Sequence, residues 1–162
     1  MISKKIQDEF NAQIGEEMFS AHLYLSMSAW FESVNLRGFA NWMRVQAGEE
    51  SAHAMKFFGF ICERGGRVEL GAVAKHQAEW KTPLEAFEAA FAHEQHITSR
   101  IDSLMTLAVS EKDYASQSFL KWFVDEQVEE EAHADEIVQK LKMTGGATGG
   151  LYIIDRELAG RK

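Results

Sequence analysis

Four long segments of the sequence carry apolar residues at alternating spacings of four and three, and polar residues interrupt each of these stripes near its middle. This spacing places all members of a stripe on one face of an α-helix. In the first segment the stripe consists of Phe10, Ile14, Glu17, Ala21, Tyr24, Ser28 and Phe31. The other three stripes are interrupted at Glu50 with His53, at Glu94, and at Gln127 with Glu130. The pattern predicts four helices that pack their stripes around one core with a polar layer at its middle.

The lengths of the segments between the stripes predict how these helices are connected. The predicted helices span residues 3–34, 37–64, 83–109 and 113–142. A short turn joins the first to the second, whereas roughly 18 residues, from Gly65 to Thr82, separate the second from the third. A connection of that length is typical of a four-helix bundle with one long crossover. We expect an all-α fold of this kind, with residues 1–162 in a single domain.

The last residues form a separate element. The sequence GGATGG, from Gly145 to Gly150, indicates a flexible break, and LYIIDREL follows it. This predicts a short C-terminal helix at about residues 149–159. Because a helix of that length is marginal alone in water and the bundle is complete without it, we expect it to pack against other subunits. Packing against its own bundle is the alternative that the sequence leaves open.

Charge and composition exclude several classes of function. The net charge of −8 over 162 residues argues against nucleic-acid binding, which depends largely on Lys and Arg. Cys62 is the only cysteine, which excludes a disulfide framework and cysteine-based metal sites. The N-terminal residues have no apolar signal-peptide centre, and no apolar run reaches the ~18 residues of a membrane span. We therefore expect a cytoplasmic protein without nucleic-acid or membrane partners.

The polar residues of the stripes are predicted to meet inside the bundle at one depth. Four carboxylates lie among them, those of Glu17, Glu50, Glu94 and Glu130. Burying ionised carboxylates without compensation is prohibitive, and no Lys or Arg lies on the stripes. Two divalent cations would balance the four charges. Carboxylates with one imidazole, that of His53, favour iron or manganese over softer metals, and helical bundles are known to build metal centres in this way.

Two similar pentapeptides raise the question of which histidine binds metal. EESAH ends at His53, and EEEAH ends 80 residues later at His133. The fourth stripe, however, continues from Glu130 to Ala134 and not to His133. The phase of the stripes therefore pairs His53 with Glu130, at an offset of 77 residues. We predict that His133 lies on the surface and that the second metal ion is held without a histidine.

With these motifs together, the chain resembles the bacterial non-haem ferritins along essentially its whole length. The resemblance is carried by EEMFSAHLYLSMSAW around Glu17, by AGEESAH, by HEQHIT around Glu94, by WFVDEQVEEE, and by LYIIDREL near the end. A single Glu-x-x-His is a weak signal, but this combination is specific. The resemblance implies iron storage and detoxification, with Fe(II) oxidised by dioxygen or hydrogen peroxide inside the bundle and Fe(III) kept as mineral.

The resemblance also assigns residues. It implies a di-iron ferroxidase centre at Glu17, Glu50, His53, Glu94, Gln127 and Glu130, which is the set that the stripes identify. It implies a third iron site beside this centre, at Glu49, Glu126 and Glu129 with Glu130 shared, and a tyrosine next to the centre, Tyr24. It further implies a hollow homo-oligomeric shell of 24 subunits, with the C-terminal helix at the four-fold axis.

The sequence departs from the haem-containing relatives. Bacterioferritins have a methionine directly after the glutamate of the second-helix motif, where this chain has Ser51, and a histidine where it has Glu130. We therefore expect no haem. Two other functions stay open at this stage: a di-iron peroxidase or oxidase without mineral storage, and a helical assembly protein whose acids only bind cations.

Overall fold

The computed structural model describes all 162 residues and consists of five α-helices without strands. Their bounds are α1 (Lys4–Ser33), α2 (Arg37–Glu63), α3 (Pro83–Ser110), α4 (Tyr114–Thr144) and α5 (Thr148–Leu158). The predicted bundle with one long crossover and a short C-terminal helix is confirmed. None of the helices combines the length and the apolar content that crossing a membrane requires.

Side-chain caps fix the starts of the two helices that follow the crossover. Thr82 Oγ1 accepts a hydrogen bond from the Glu85 amide at 3.1 Å, and Pro83 occupies the first position of α3, as the sequence predicts. Asp113 caps α4 by accepting from the Ser116 amide at 3.1 Å. The same carboxylate pairs with Arg64 at 3.0 Å, so the start of α4 is tied to the end of α2.

The crossover from α2 to α3 runs along α1. Near its beginning, the Arg67 carbonyl accepts from Asn11 Nδ2 at 3.0 Å. Towards its end, the Gln77 carbonyl accepts from Ser26 Oγ at 3.1 Å, and the ring of Trp80 lies 5.9 Å from that of Trp30. The chain therefore covers most of the length of α1 before α3 begins, which explains why this connection must be long.

Two hydrophobic clusters fill the bundle, one on each side of the polar layer. One cluster includes Phe31, Phe39 and Phe87, and the other includes Phe10 and Phe57. Every residue of the predicted first stripe is buried. The same holds for the fourth stripe, which consists of Leu120, Phe123, Gln127, Glu130, Ala134, Ile137 and Leu141. The two clusters pack apolar surface at both ends of the bundle, and this holds the four central helix segments close enough for their polar side chains to meet.

The prediction for the inward face of α3 is partly wrong. The third stripe of the sequence consists of Phe87, Phe91, Glu94, Thr98, Ile101, Met105 and Ala108. Glu94 and Ile101 are buried as predicted, but Phe91 is only partly buried, and the inward face of α3 continues through Ala90 and Ile97. The buried face of a helix is wider than a single line of residues. Here it lies one position towards the N-terminus of the predicted line, on small and aliphatic side chains.

Helix α5 folds back on its own bundle. Ile154 and Leu158 are 4% and 6% exposed and join the cluster around Phe39. The carboxylate of Asp155 accepts from the amides of Gly38 at 2.7 Å and Phe39 at 3.1 Å, which satisfies donors at the start of α2.

The expectation that α5 packs against other subunits is therefore wrong for its buried face, because docking on its own chain buries apolar surface and caps α2. A Cβ atom at position 38 would lie 1.6 Å from the Asp155 carbonyl oxygen, so this docking depends on Gly38. The opposite face of α5 leaves Tyr152 and Ile153 about two-thirds exposed, at 68% and 67%.

Candidate metal centre

The polar layer brings together the six residues predicted to form the centre. One comes from α1, two from α2, one from α3 and two from α4, and none is more than 4% exposed. They are Glu17, Glu50, His53, Glu94, Gln127 and Glu130. The pairs on α2 and α4 are three residues apart, which places both members of each pair on the same helix face.

Glu17, Glu50 and His53 form the first group that could hold a cation. One ligand atom from each of the three residues lies within 4.8 Å of the others, and His53 Nδ1 is 3.4 Å from Glu50 Oε2. Glu17 Oε1 accepts from Gln13 Nε2 at 2.9 Å, but Glu17 Oε2 is buried without a hydrogen-bond partner. An unpaired buried oxygen of this kind is costly, and a cation bound between these ligands would satisfy it.

A second group shares His53 with the first. It consists of His53, Glu126 and Glu130, again with ligand atoms within 4.8 Å of one another. Gln46 holds the two groups in register, because its Nε2 donates to Glu50 Oε1 at 2.9 Å and to Glu130 Oε2 at 2.7 Å. The carboxylates of α2 and α4 are thereby fixed relative to each other.

Glu94 belongs to neither group and is held by two other side chains. The hydroxyl of Tyr24 donates to its Oε1, and Gln127 Nε2 donates to its Oε2 at 3.2 Å. Tyr24 is fully buried and lies beside the centre, where the family resemblance places it. These two donors aim the Glu94 carboxylate into the polar layer from α3.

Burial and mutual repulsion change the protonation of the acids. Burial, followed by the charge of Glu50, raises the pKa values of Glu17 and Glu94 well above their ordinary range. The same two causes raise the pKa of Glu130 to about 7. Because the charge of Glu50 acts on all three, Glu50 lies at the electrostatic centre of the layer. With a pKa of about 7, Glu130 is partly protonated near neutral pH in the metal-free protein, and a bound cation must displace that proton.

The pKa values of the neighbouring imidazole and phenol are both raised, but for different reasons. Burial alone would lower the pKa of His53, but the hydrogen bond and charge of Glu50 outweigh it, and the pKa is raised. Burial and the charge of Glu94 raise the pKa of the Tyr24 phenol well above its ordinary value. Tyr24 therefore keeps its proton and acts as a hydrogen-bond donor to Glu94.

The residues predicted for a third ion are only partly brought together. Glu126 is in the second group, but the carboxylate of Glu49 instead contacts Arg161, with Glu49 Oε2 and Arg161 Nη2 2.5 Å apart. Glu129 is exposed and belongs to neither group. The charge of Glu49 still raises the pKa of Glu130, so Glu49 lies within electrostatic reach of the second group.

The register of α4 agrees with the 77-residue offset. Ala134 is 1% exposed, whereas His133 is exposed and belongs to neither group of metal-ligand atoms. The histidine of EEEAH therefore lies on the surface, as predicted from the phase of the stripe.

Sequence reasoning missed three polar residues next to the acids. Gln13 lies off the predicted stripe of the first helix, Gln46 lies on the second stripe but was given no role there, and Arg161 lies beyond α5. A signal for the two amides was present: each precedes an acid of the centre by four residues, as in Gln13 with Glu17 and Gln46 with Glu50. That spacing allows a glutamine to donate to a carboxylate one helical turn away. Nothing local in the sequence indicated Arg161.

The donors fit a hard divalent cation. Carboxylate oxygens with one imidazole are the ligands that iron and manganese accept readily, and the orphaned oxygen of Glu17 gives such an ion a place to bind. A four-helix bundle with one crossover that buries this set defines the class of ferritin-like carboxylate proteins.

Comparison with known proteins shows which family within this class the chain matches. Residues 7–144 match the family described as "Ferritin-like domain". The chain is 47% identical over 161 residues to a bacterial non-heme ferritin of Bacteroides fragilis, a match that covers 99% of this chain and 100% of the relative. It is 38% identical over 161 residues to one of Staphylococcus haemolyticus, with 99% and 97% covered.

A solved structure agrees with these sequence matches. The structure of an open-pore ferritin from Archaeoglobus fulgidus superimposes with a TM-score of 0.99 at 51% identity and covers 100% of both chains. The chain belongs to the ferritin family.

Proposed function

We propose that this protein stores and detoxifies iron in the cytoplasm by oxidising Fe(II) inside the bundle and keeping Fe(III) as mineral in a shell of its own copies. The observation that carries the proposal is the buried group of Glu17, Glu50 and His53, in which one Glu17 oxygen has no partner. The sequence relatives, named bacterial non-heme ferritins, support iron as the cation over manganese.

Each residue of the centre has a role in this proposal, and iron is the substrate. Glu50, whose charge acts on the other acids, bridges two Fe(II) ions. Glu17 and His53 complete the binding of the first ion, and Glu94, Glu130 and Gln127 that of the second. When Fe(II) binds, it displaces protons from the carboxyl groups whose pKa values are raised. Tyr24 keeps its proton and positions Glu94.

The ligand set favours oxidation. Hard carboxylate ligands bind Fe(III) more strongly than Fe(II), which lowers the reduction potential of the bound ion. Each Fe(II) loses one electron, so a pair of ions supplies the two electrons that convert dioxygen and two protons into hydrogen peroxide. A pair likewise converts hydrogen peroxide and two protons into two waters. A further ion bound near Glu49, Glu126 and Glu129 would lead iron away from the centre.

Iron oxidation tests the centre directly. Fe(II) is added to the assembled protein in air, and ferric absorbance is followed with time. Glu50→Ala should abolish the fast phase, because it removes the ligand shared by both ions. Glu88→Ala serves as a matched control, because Glu88 lies on the surface and pairs only with Lys142, at 3.0 Å. Equal rates for Glu50→Ala and the unaltered protein would rule out this centre as the site of oxidation.

Assembly and storage need a separate measurement. A shell of 24 chains of 18.3 kDa would elute near half a megadalton. After loading with Fe(II), it should retain hundreds of irons or more. A monomer or dimer that oxidises iron but keeps only a few ions per chain would indicate a di-iron oxidase or peroxidase without storage instead.

A further inference from the structure

The side chain of Arg161 reaches back from the C-terminal residues to the edge of the metal centre. Its Nη2 donates to Gln46 Oε1 at 2.8 Å and to Glu49 Oε2 at 2.5 Å. Its guanidinium carbon lies 4.3 Å from the ring centroid of Trp42. Side chains with several charge-assisted and cation–π contacts of this kind are well fixed. The side chain is only 19% exposed although it follows the last helix.

Two contacts of Arg161 are with groups that matter for cation binding. Gln46 is the residue whose amide joins Glu50 to Glu130. Glu49 is a carboxylate close enough for its charge to act on Glu130, which belongs to the second group with His53 and Glu126. A cation held by that second group would find Glu49 as a further nearby carboxylate, but the guanidinium already occupies it.

The backbone around Arg161 is fixed as well. Asn41 Nδ2 donates to the carbonyl of Arg161 at 3.0 Å, and Asp155 binds the start of α2. The last residues of the chain and helix α5 therefore dock on α2 as one unit. Any change that pulls Arg161 away from Glu49 acts on this docked segment.

We propose that Arg161 is a tethered counter-cation that competes with a metal ion for Glu49, and that a metal ion bound there releases the C-terminal residues from α2. The inference rests on the proposed function only for the identity of the metal as iron. The contacts themselves involve no metal. Arg161 thus acts as a positioning residue, which keeps the Glu49 carboxylate paired with its guanidinium until an ion arrives.

The two events are linked reciprocally. If the guanidinium and a metal ion exclude each other at Glu49, the ion weakens docking of the C-terminal residues by the same factor by which docking weakens binding of the ion.

Zn²⁺, which is not oxidised, tests the competition without iron chemistry. Calorimetric titration of the assembled protein should show that Arg161→Gln tightens the weakest class of Zn²⁺ sites about five- to tenfold, the lower range of measured couplings between sites. Lys162→Gln, which removes the same charge from the exposed neighbouring residue, should leave that class unchanged. Adding Glu49→Gln to Arg161→Gln should abolish the gain.

A second measurement needs no variant. Hydrogen exchange at residues 158–162 should speed up when Zn²⁺ fills the weakest class of sites, because the carbonyl and side-chain contacts of Arg161 are then broken. Unchanged exchange at saturating Zn²⁺, or equal Zn²⁺ affinities in Arg161→Gln and Lys162→Gln, would overturn the proposal. Failure of the unaltered protein to oxidise Fe(II) would instead overturn the proposed function and leave both Zn²⁺ results interpretable.

Discussion

Gln46 on α2 donates its side-chain amide to Glu130 on α4 at 2.7 Å, across the interface where the two halves of the metal centre meet. The same nitrogen donates to Glu50 at 2.9 Å. A neutral amide thus bridges two acids that otherwise repel each other, and the hydrogen bond lowers the pKa of Glu130 against the effect of burial. Gln46 is therefore part of the centre without being a ligand of it.

Removing this amide should weaken metal binding at neutral pH. In Gln46→Leu, Glu130 loses a donor and is protonated over a wider pH range, so a cation must displace more protons. We expect Zn²⁺ affinity at pH 7 to fall about tenfold, the size of one lost hydrogen bond to a charged group, and to recover as pH rises. Gln139→Leu is the control, because Gln139 contacts only Asp135 on the surface. Equal affinities for the two variants would contradict this role.

The raised carboxyl pKa values predict how stability depends on pH. The pKa of Glu130 is about 7 in the folded chain and 4.5 ordinarily, so between these values the folded state binds more protons than the unfolded state. The contribution of Glu130 to the free energy of unfolding is full below pH 4.5 and is lost as pH rises through 7. In the metal-free protein, the free energy of unfolding should fall by about 3 kcal/mol over this range from Glu130 alone.

Chemical denaturation at a series of pH values, with and without metal, tests this expectation. Glu130→Gln should flatten the pH profile of the metal-free protein, because a neutral amide takes the place of the titrating group. Saturating Zn²⁺ should add stability mainly at the higher pH values, where it replaces the lost protons. If the stability of the metal-free protein rises between pH 5 and 8, the carboxyl pKa values are not raised as described.

His53 and His133 provide a matched pair of substitutions. His53 is buried beside Glu50, whereas His133 is exposed one residue before the buried Ala134. His53→Ala should slow the fast phase of Fe(II) oxidation by about 100-fold, the scale of losing a group that positions a reactant. His133→Ala should leave that phase intact. Stopped-flow absorbance after mixing with Fe(II) distinguishes the two, and the reverse order of effects would refute the 77-residue register.

Tyr24→Phe separates the packing role of this residue from its role at the centre. The ring stays in place, and only the hydroxyl that donates to Glu94 is removed. We expect the melting temperature to change by a few degrees at most, since packing is kept. Metal affinity at pH 7 should fall, because Glu94 loses a donor that favours its ionised form. A variant with unaltered Zn²⁺ affinity would assign Tyr24 to packing alone.

Docking of α5 can be tested through Asp155. Asp155→Ala removes the acceptor for two amides at the start of α2 and should cost about 1–2 kcal/mol of stability, as for loss of a helix cap. Because α5 carries Arg161 back to Glu49, the variant should also increase hydrogen exchange at residues 158–162. Asp135→Ala is the control, because the Asp135 carboxylate accepts from Gln139 within α4 and not from α2. Equal exchange in both variants would show that α5 docks without Asp155.

Periodicity was sufficient to predict most of the bundle and the buried polar residues of its middle layer. Glu50 and Glu130 were identified because each occurs where a helical stripe should be apolar, and that conflict between burial and charge is visible in the sequence itself. The depth of each acid also follows from its distance to the helix ends. These features depend on local spacing, so tertiary structure was not needed to find them.

The remaining features depend on contacts that local spacing does not encode. The position of Arg161 beside Glu49 results from how α5 docks, which in turn depends on the small size of Gly38 and on Asp155. The inward line of α3 runs through Ala90 and Ile97, and Phe91 is only partly buried. Such choices are made by packing against residues distant in sequence.

The polar layer lies between two helical hairpins, and this has a consequence for how the chain folds. The α1–α2 hairpin supplies Glu17 and Glu50, and the α3–α4 hairpin supplies Glu94 and Glu130. Each hairpin closes through contacts that are near in sequence and therefore forms quickly, but joining them brings like charges together. Acidic conditions or a divalent ion should speed this last step, so the protein's own cargo would act as an assembly factor for the newly made chain.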